Sequence, residues 1–386
     1  MKKTVFSFIF SFLFLSVCGC CDASVSDSAQ DSVSDGGNRR ALQLRRDIAE
    51  MLMVGFRGLS VSQSDHIRRD IAHHHIGGVI LFEYDAPTGK RKRNVASPRQ
   101  LRSLCGQLQA LSDETLLIGI DQEGGRVTRL REDYGFPRFM SARRSAEYGT
   151  DSIRHYASLT ASQLKQAGVN LNFAPCVDVD INPECPVIGK LERSFSSSPM
   201  KVTDAARIWI DEQRKQGVIS CLKHFPGHGS AAGDTHVGLV DVTDTWKTSE
   251  LAPYRKLIAE GVADMVMTAH VVNGKLDSVY PASLSWQVTT RLLRDSLGFD
   301  GVVITDDMAM GAIVNQYGYD EAVRLAVAAG ADILCLSNNG KEYDADIVPR
   351  TIRIIEKLVA DGRIKAERIH QSAERIRKLK KSIANP

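Results

Sequence analysis

The chain has 386 residues, 43% of them hydrophobic, enough to bury one large core or two ordinary ones, and the composition is that of a globular protein. Its 49 basic and 46 acidic side chains leave a formal charge of +3, a balance that argues against nucleic acid as a partner.

The first twenty residues differ from the rest. Lys2 and Lys3 precede the apolar run VFSFIFSFLFLSV, which is followed by Cys18, Gly19, Cys20 and Cys21. A charged start and an apolar stretch of this length read as a signal peptide over residues 1–20, too short and wrongly flanked for a permanent membrane span. Val17 to Cys20 resembles the bacterial lipoprotein box, in which Cys20 would carry a lipid anchor after cleavage. The expected location is therefore the periplasm or cell envelope; an ordinary cleaved signal is the alternative. Residues 21–40 are rich in Ser and Asp and hold almost no apolar mass, so they are expected to form a disordered tether. One domain is expected over 41–386.

Beyond the leader lie Cys105, Cys176, Cys185, Cys221 and Cys335. Scattered through apolar stretches, they read as small buried hydrophobes, and only Cys176 and Cys185 are close enough in sequence to suggest a disulfide. The segment ALQLRRDIAEMLMVGF predicts an amphipathic helix running into a strand. The triplet His73 to His75 invites a metal reading, but a helix C-terminus favours such side chains and Gly77 suits a cap.

Apolar runs then recur between helical segments: LMVGF at 52, GGVILF at 77, LLIGID at 116, VNLNFAPCVDV at 169, VISCLKHF at 218, MVMTAH at 265, GVVITDD at 301 and ILCLSN at 333. Eight near-continuous apolar strands alternating with helices predict a parallel sheet covered on both faces and closed as a (β/α)8 TIM-type barrel. An open doubly wound sheet is the rival, though no GxGxxG follows any of these strands. Polar residues sit at the strand ends: Asp121, Lys223 with His224, His270, Asp306 with Asp307, and Asn338. In a parallel barrel all these ends share one face, so they predict a single pocket. The tail GRIKAERIHQSAERIRKLKKSI predicts a last amphipathic helix whose basic residues are solvated.

The densest chemistry lies in Lys223 to Leu239, KHFPGHGSAAGDTHVGL. Pro226, Gly227, Gly229 and Gly233 break any helix, so a mobile loop is expected after the fifth strand. Asp234 and His236 are two apart, placing a carboxylate where it can orient an imidazole as an acid/base pair. His224, His228, His236 and Asp234 could instead be metal ligands, but Pro226 and Gly227 deny the helix that would align the first two imidazoles, so no metal or cofactor is expected.

The strings IDQEGGRVTRL at 120, ERSF at 192, KHFPGHG with its later DTH, MTAH at 267, PASLS at 281 and ITDDMAMGAI at 304 together resemble family 3 glycoside hydrolases, and more narrowly their single-domain β-N-acetylglucosaminidases. The resemblance runs in order over roughly 41 to 381. It implies a retaining double displacement on terminal β-linked N-acetylglucosamine, with Asp306 as nucleophile and His236, partnered by Asp234, as acid/base. It further implies that Asp121, Arg129, Arg193, Lys223 and His224 hold the sugar, that Arg126 braces the DQEGG turn, that Asp178 and His228 support the pocket from behind, and that Asp307 is structural. The implied substrate is a GlcNAc-containing oligosaccharide, either a peptidoglycan fragment or a chitooligosaccharide, and the expected state is a monomer. Phosphorolysis of the same bond, or a non-catalytic sugar-binding lipoprotein, are the alternatives. One departure from the family is the segment LFEYDAPTGKRKRNVAS after the second strand, longer and more basic than the usual turn.

Overall fold

A computed structural model describes residues 27–384 apart from His236 and Lys341. The leader and Cys20 lie outside the described residues. Two compact units divide between Leu42 and Gln43. Helix α1, Asp27–Glu50, begins inside the stretch expected to be a tether; that stretch contains no proline, the residue that opposes helical backbone most strongly. Among the described residues no helix is long and apolar enough to cross a membrane.

The eight predicted runs all form strands: β1 Leu52–Gly55, β2 Gly78–Leu81, β3 Leu117–Ile120, β4 Leu171–Asn172, β5 Ile219–Phe225, β6 Met265–Thr268, β7 Val302–Thr305 and β8 Leu334–Leu336. They pair in parallel in the order β7-β6-β5-β4-β3-β2-β1-β8. Every residue of the eight is buried, as a sheet covered on both faces requires. A single parallel bridge, Ile304 to Ile333, joins β7 to β8 and closes the ring, so the sheet is the expected barrel rather than an open one. Helices α2 (Asp65–Ala72), α3 (Pro98–Gln109), α4 (Ala142–Glu147), α5 (Thr150–Ala167), α6 (Pro199–Lys215), α7 (Ala252–Ala259), α8 (Gly311–Tyr317), α9 (Tyr319–Ala329), α10 (Ile347–Ala360) and α11 (Ala366–Ala384) fill the connections and the tail.

Two local expectations, for Gly77 and for the tail helix, need correction, while the reading of the cysteines as small buried hydrophobes holds. Gly77 does not cap α2: the left-handed residue there is His75, at φ 59°. Gly77 is instead required for close packing, since a Cβ on it would lie 1.9 Å from the Glu50 carbonyl oxygen. Cys176 and Cys185 are free and buried, as are the other three cysteines among the described residues. The basic residues of α11 are not simply solvated: Arg368 and Arg375 reach Asp332, Arg377 reaches Asp47, and Lys380 reaches Glu50 at 2.6 Å. A solvated Lys380 would leave the buried Glu50 carboxylate without its cation, and solvated arginines would thin the clusters around Asp332 and Asp47.

Candidate active site

The C-terminal strand ends surround a cavity of about 570 Å³ lined by Asp121, Arg129, Arg193, Lys223, His224, Asp234 and Asp306, together with Phe82, Tyr84, Asp307, Ser337 and Asn339. Seven of the eight residues singled out as catalytic or sugar-binding thus share one cavity. The eighth, His236, lies outside the described residues. Larger hollows lie elsewhere on the surface, but none of the others described gathers these groups.

Lys223 and His224 come from adjacent positions of β5, whose side chains would ordinarily leave on opposite faces. The β5–β6 register slips between Leu222, opposite Val266, and Phe225, opposite Thr268, which inserts one extra residue in β5. A bulge of this kind re-aims side chains, and here both line the cavity. The Lys223–His224 and Phe225–Pro226 peptide bonds are cis.

The charged groups are interlocked. Lys223 Nζ donates to Asp121 Oδ1 at 2.7 Å and pairs with Glu123 Oε1 at 2.6 Å. Arg193 grips Glu123 with two bonds of 2.8 Å, and Arg129 Nη2 donates to Asp121 Oδ2 at 3.1 Å. Burial alone would raise the Asp121 carboxyl, but the Lys223 and Arg129 cations outweigh it and hold it well below the usual carboxylate range. Glu123 is likewise held down at about 2: burial opposes, and Arg193 and Lys223 win. Burial would also strip the Lys223 proton, yet Asp121 and Glu123 keep that ammonium charged. Side-chain exposure rises from 2% at Lys223 and 4% at Glu123 to 16% at Asp121 and 23% at Arg129, so the first two form the back wall and the latter two face the cavity.

Sequence reasoning missed Glu123. It sits two residues after Asp121 in the run DQEGG, and that spacing in an extended stretch could have flagged it as a second carboxylate aimed at the same cations. Arg126, expected to brace this turn, is exposed and lines a separate hollow on its outer side. The turn is held instead by Glu123 N–H and Gly124 N–H donating to the Val127 carbonyl and by Gln122 Oε1, which accepts from the Arg129 and Leu130 amides.

Asp178 lies behind His224. It accepts from His224 Nδ1 at 2.7 Å, the His228 amide at 2.7 Å and the Cys176 thiol at 3.2 Å. That bond fixes the proton on Nδ1 and leaves His224 Nε2 to accept from Arg193 Nη2 at 3.3 Å. Cys176, Asp178 and His224 have donor atoms close enough to hold a metal ion. They already bond one another: the Asp178 oxygens accept from His224 Nδ1, the Cys176 thiol and the His224 and His228 amides, so an ion there would have to displace this network. Burial, and then the neighbouring His224, depress the His228 imidazole to about 4.

The loop after β5 is anchored through its first turn. The Pro226 carbonyl accepts from Trp246 Nε1, the Gly229 carbonyl from the Asn182 amide, and the Ala231 carbonyl from Asn182 Nδ2. Gly227 rests directly on Glu250, where an added Cβ would lie 2.7 Å from the Glu250 Cβ. Further on, the Thr235 carbonyl accepts from the Ala312 amide at the start of α8, which draws the Asp234 end of the loop toward the segment following Asp306.

At the end of β7, Asp306 Oδ1 accepts from the Asp307 amide at 2.8 Å. Asp307 accepts from the Ser337 hydroxyl and amide and from the Ala309 amide. Its carboxyl is raised by burial despite those bonds. His270 bonds Ser283 Oγ at 2.6 Å and the Asp307 carbonyl at 2.9 Å, so it braces the rim from outside the cavity lining. Asn338 turns into its own loop, exchanging bonds with Asp344, and its neighbour Asn339 lines the cavity in its place.

Residues 43–379 match the family model described as the glycosyl hydrolase family 3 N terminal domain. The chain belongs to glycosyl hydrolase family 3. A curated relative from Alkalilimnicola ehrlichii, named beta-hexosaminidase, is 34% identical over 87% of this chain and 97% of its own length. Among solved structures, a family 3 beta-N-acetylglucosaminidase from Paenibacillus sp. str. FPU-7 is 36% identical with a TM-score of 0.79, over 88% of this chain and 62% of that one. M tuberculosis LpqI is 31% identical with a TM-score of 0.74, over 87% and 93% of the two chains. This chain is accordingly a glycoside hydrolase with the barrel its family uses.

Proposed function

We propose that this family 3 enzyme removes terminal β-linked N-acetylglucosamine by a retaining double displacement. The observation that supports the reading is the shared cavity: Asp306, Asp234 and the interlocked Asp121, Arg129, Arg193, Lys223 and His224 come from strand ends and loops far apart in sequence and line one space. An Asp306 oxygen attacks the anomeric carbon as the glycosidic bond breaks, and the departing oxygen takes a proton from His236. Water then attacks the glycosyl ester, its proton passes to His236, and the Asp306 carboxylate is released. Asp234 steadies the charged imidazole, and the Asp121–Arg129 face takes sugar hydroxyls. The names of the relatives, beta-hexosaminidase and beta-N-acetylglucosaminidase, support the choice of sugar.

Phosphorolysis is disfavoured because each cavity cation is already tied to a carboxylate, Lys223 to Asp121 and Glu123, Arg129 to Asp121, and Arg193 to Glu123. Incubation with a chromogenic N-acetylglucosaminide, with and without phosphate, tests both readings: free N-acetylglucosamine in both tubes is expected, whereas its 1-phosphate would overturn hydrolysis. The leader composition supports export and anchoring through Cys20, with cell-envelope GlcNAc oligosaccharides such as peptidoglycan fragments as substrate. Mass spectrometry of the membrane fraction should find an acylated Cys20 peptide; an unmodified one would refute the anchor.

A further inference from the structure

The unusual segment after β2 forms a small hairpin in which Tyr84–Asp85 pairs antiparallel with Lys90–Arg91. It is tied down from beneath. Buried Asp85 accepts from Arg57 Nε at 2.6 Å, Arg93 Nη1 at 3.3 Å and the Thr88 hydroxyl at 2.8 Å. Arg93, also buried, goes on to the Phe56, Ser337 and Asn338 carbonyls and to Asn339 Oδ1. Asn339 in turn accepts from the Ala86 amide at 2.9 Å and donates to the Tyr84 carbonyl at 3.1 Å. The backbone of Tyr84 is thus fixed to the loop after β8, while its side chain, on a residue 44% exposed, is not drawn into the core.

Eight large apolar or aromatic residues are exposed among those described, and Tyr84 alone of them lines the cavity that holds Asp306. An aromatic face held at a cavity mouth by a rigid support loses little freedom when covered. A pyranose suits such a face: its C–H side is apolar and its hydroxyls lie at the rim of the ring, where water reaches them. The interior of the cavity carries the charged groups assigned to the terminal sugar, so the unit beyond the scissile bond must extend outward toward solvent and the rim. We propose that Tyr84 is the stacking platform for the sugar ring on the leaving-group side, which makes the preferred substrate class oligosaccharides with a pyranose in that position rather than glycosides of small alkyl groups. The inference rests on the glycosidase reading above.

The test compares the full-length protein with its Tyr84→Ala and Tyr84→Phe variants on two donors sharing the same terminal sugar: the β-1,4-linked disaccharide of N-acetylglucosamine, and β-N-acetylglucosaminyl fluoride, whose leaving group has no ring. Tyr84→Ala should lower the ratio of kcat/KM for disaccharide over fluoride by about tenfold, and Tyr84→Phe should hold that ratio within about twofold. A ratio unchanged in Tyr84→Ala would overturn the platform. An equal fall in Tyr84→Phe would overturn stacking, because the hydroxyl and not the ring face would then carry the contact. Unmodified protein inert toward both donors would instead defeat the glycosidase reading, and with it the inference, before any variant is compared.

Discussion

Both ends of the barrel bury acids among bases, yet they are built to opposite purposes. At the N-terminal end Asp332 is fully buried and accepts from the Val303 amide, Ser372 Oγ and Arg375, while Arg294 and Arg368 close around it. Its oxygens are saturated by the chain itself. At the C-terminal end Asp121, Glu123, Lys223, Arg193 and Arg129 likewise set carboxylates against cations at similar distances, but the outer members border an open cavity. The difference teaches that buried charge does not by itself mark a functional site. What marks it is a cluster that is graded in exposure and left open on one side.

Substitutions at the two ends should therefore fail in different currencies. The largest effect is expected from Asp306→Asn, which should lower kcat by at least about 10³-fold while the melting temperature moves by no more than about 2 °C. Near-normal turnover would remove Asp306 from the mechanism. Asp332→Ala should do the reverse, costing about 3–5 kcal/mol in denaturant unfolding by stranding three arginines, with kcat of the folded fraction unchanged.

A subtler contrast lies beneath the loop after β5. Burial lifts the Glu250 carboxyl to about 7 from 4.5, so its contribution to stability is present below pH 4.5 and lost as pH rises through 7. His228, depressed to about 4 from 6.5, runs the other way: stability is present above pH 6.5 and lost as pH falls toward 4. The advantage of Glu250→Gln over the unmodified protein in melting temperature should therefore grow as pH rises from 4.5 to 7; a constant difference would refute it. The smallest effect is expected from Arg350→Ala, which breaks an exposed pair with Asp320 and should change stability by less than about 0.5 kcal/mol.

Much of this was legible in the residues because the two strongest signals are periodic or local. All eight apolar runs became strands, since burial on both faces leaves no polar position to obscure them. Asp121, Lys223, His224 and Asp306 could be read as neighbours because a parallel barrel brings strand ends together. What escaped depended on partners distant in sequence. Glu123 gains its meaning only from Arg193 and Lys223, 70 and 100 residues on, and the basic residues of α11 only from Asp332, Asp47 and Glu50. The hairpin after β2 was recognisable as an addition, but its attachment through Arg93 and Asn339 is fixed by two loops that meet only in the folded chain. The choice between Asn338 and Asn339 turned on a backbone angle, the φ of 51° that swings Asn338 away.

The wall between β7 and β8 has a consequence of its own. Backbone bonds cross it from the Asp332 and Ile333 amides to the Val303 carbonyl, from the Thr305 amide to the Ile333 carbonyl and from the Met308 amide to the Cys335 carbonyl, and side chains add to them, Asp332 with the Val303 amide below, Thr305 Oγ1 with the Cys335 amide midway, and Asp307 with Ser337 above. Asp306 stands on one bank of that join, and Asn339, which carries the Tyr84 hairpin, stands on the other. A saccharide reaching from the carboxylate to the aromatic ring would straddle the seam where the last strand meets the seventh, so one bound ligand would touch both sides of the place where the ring closes.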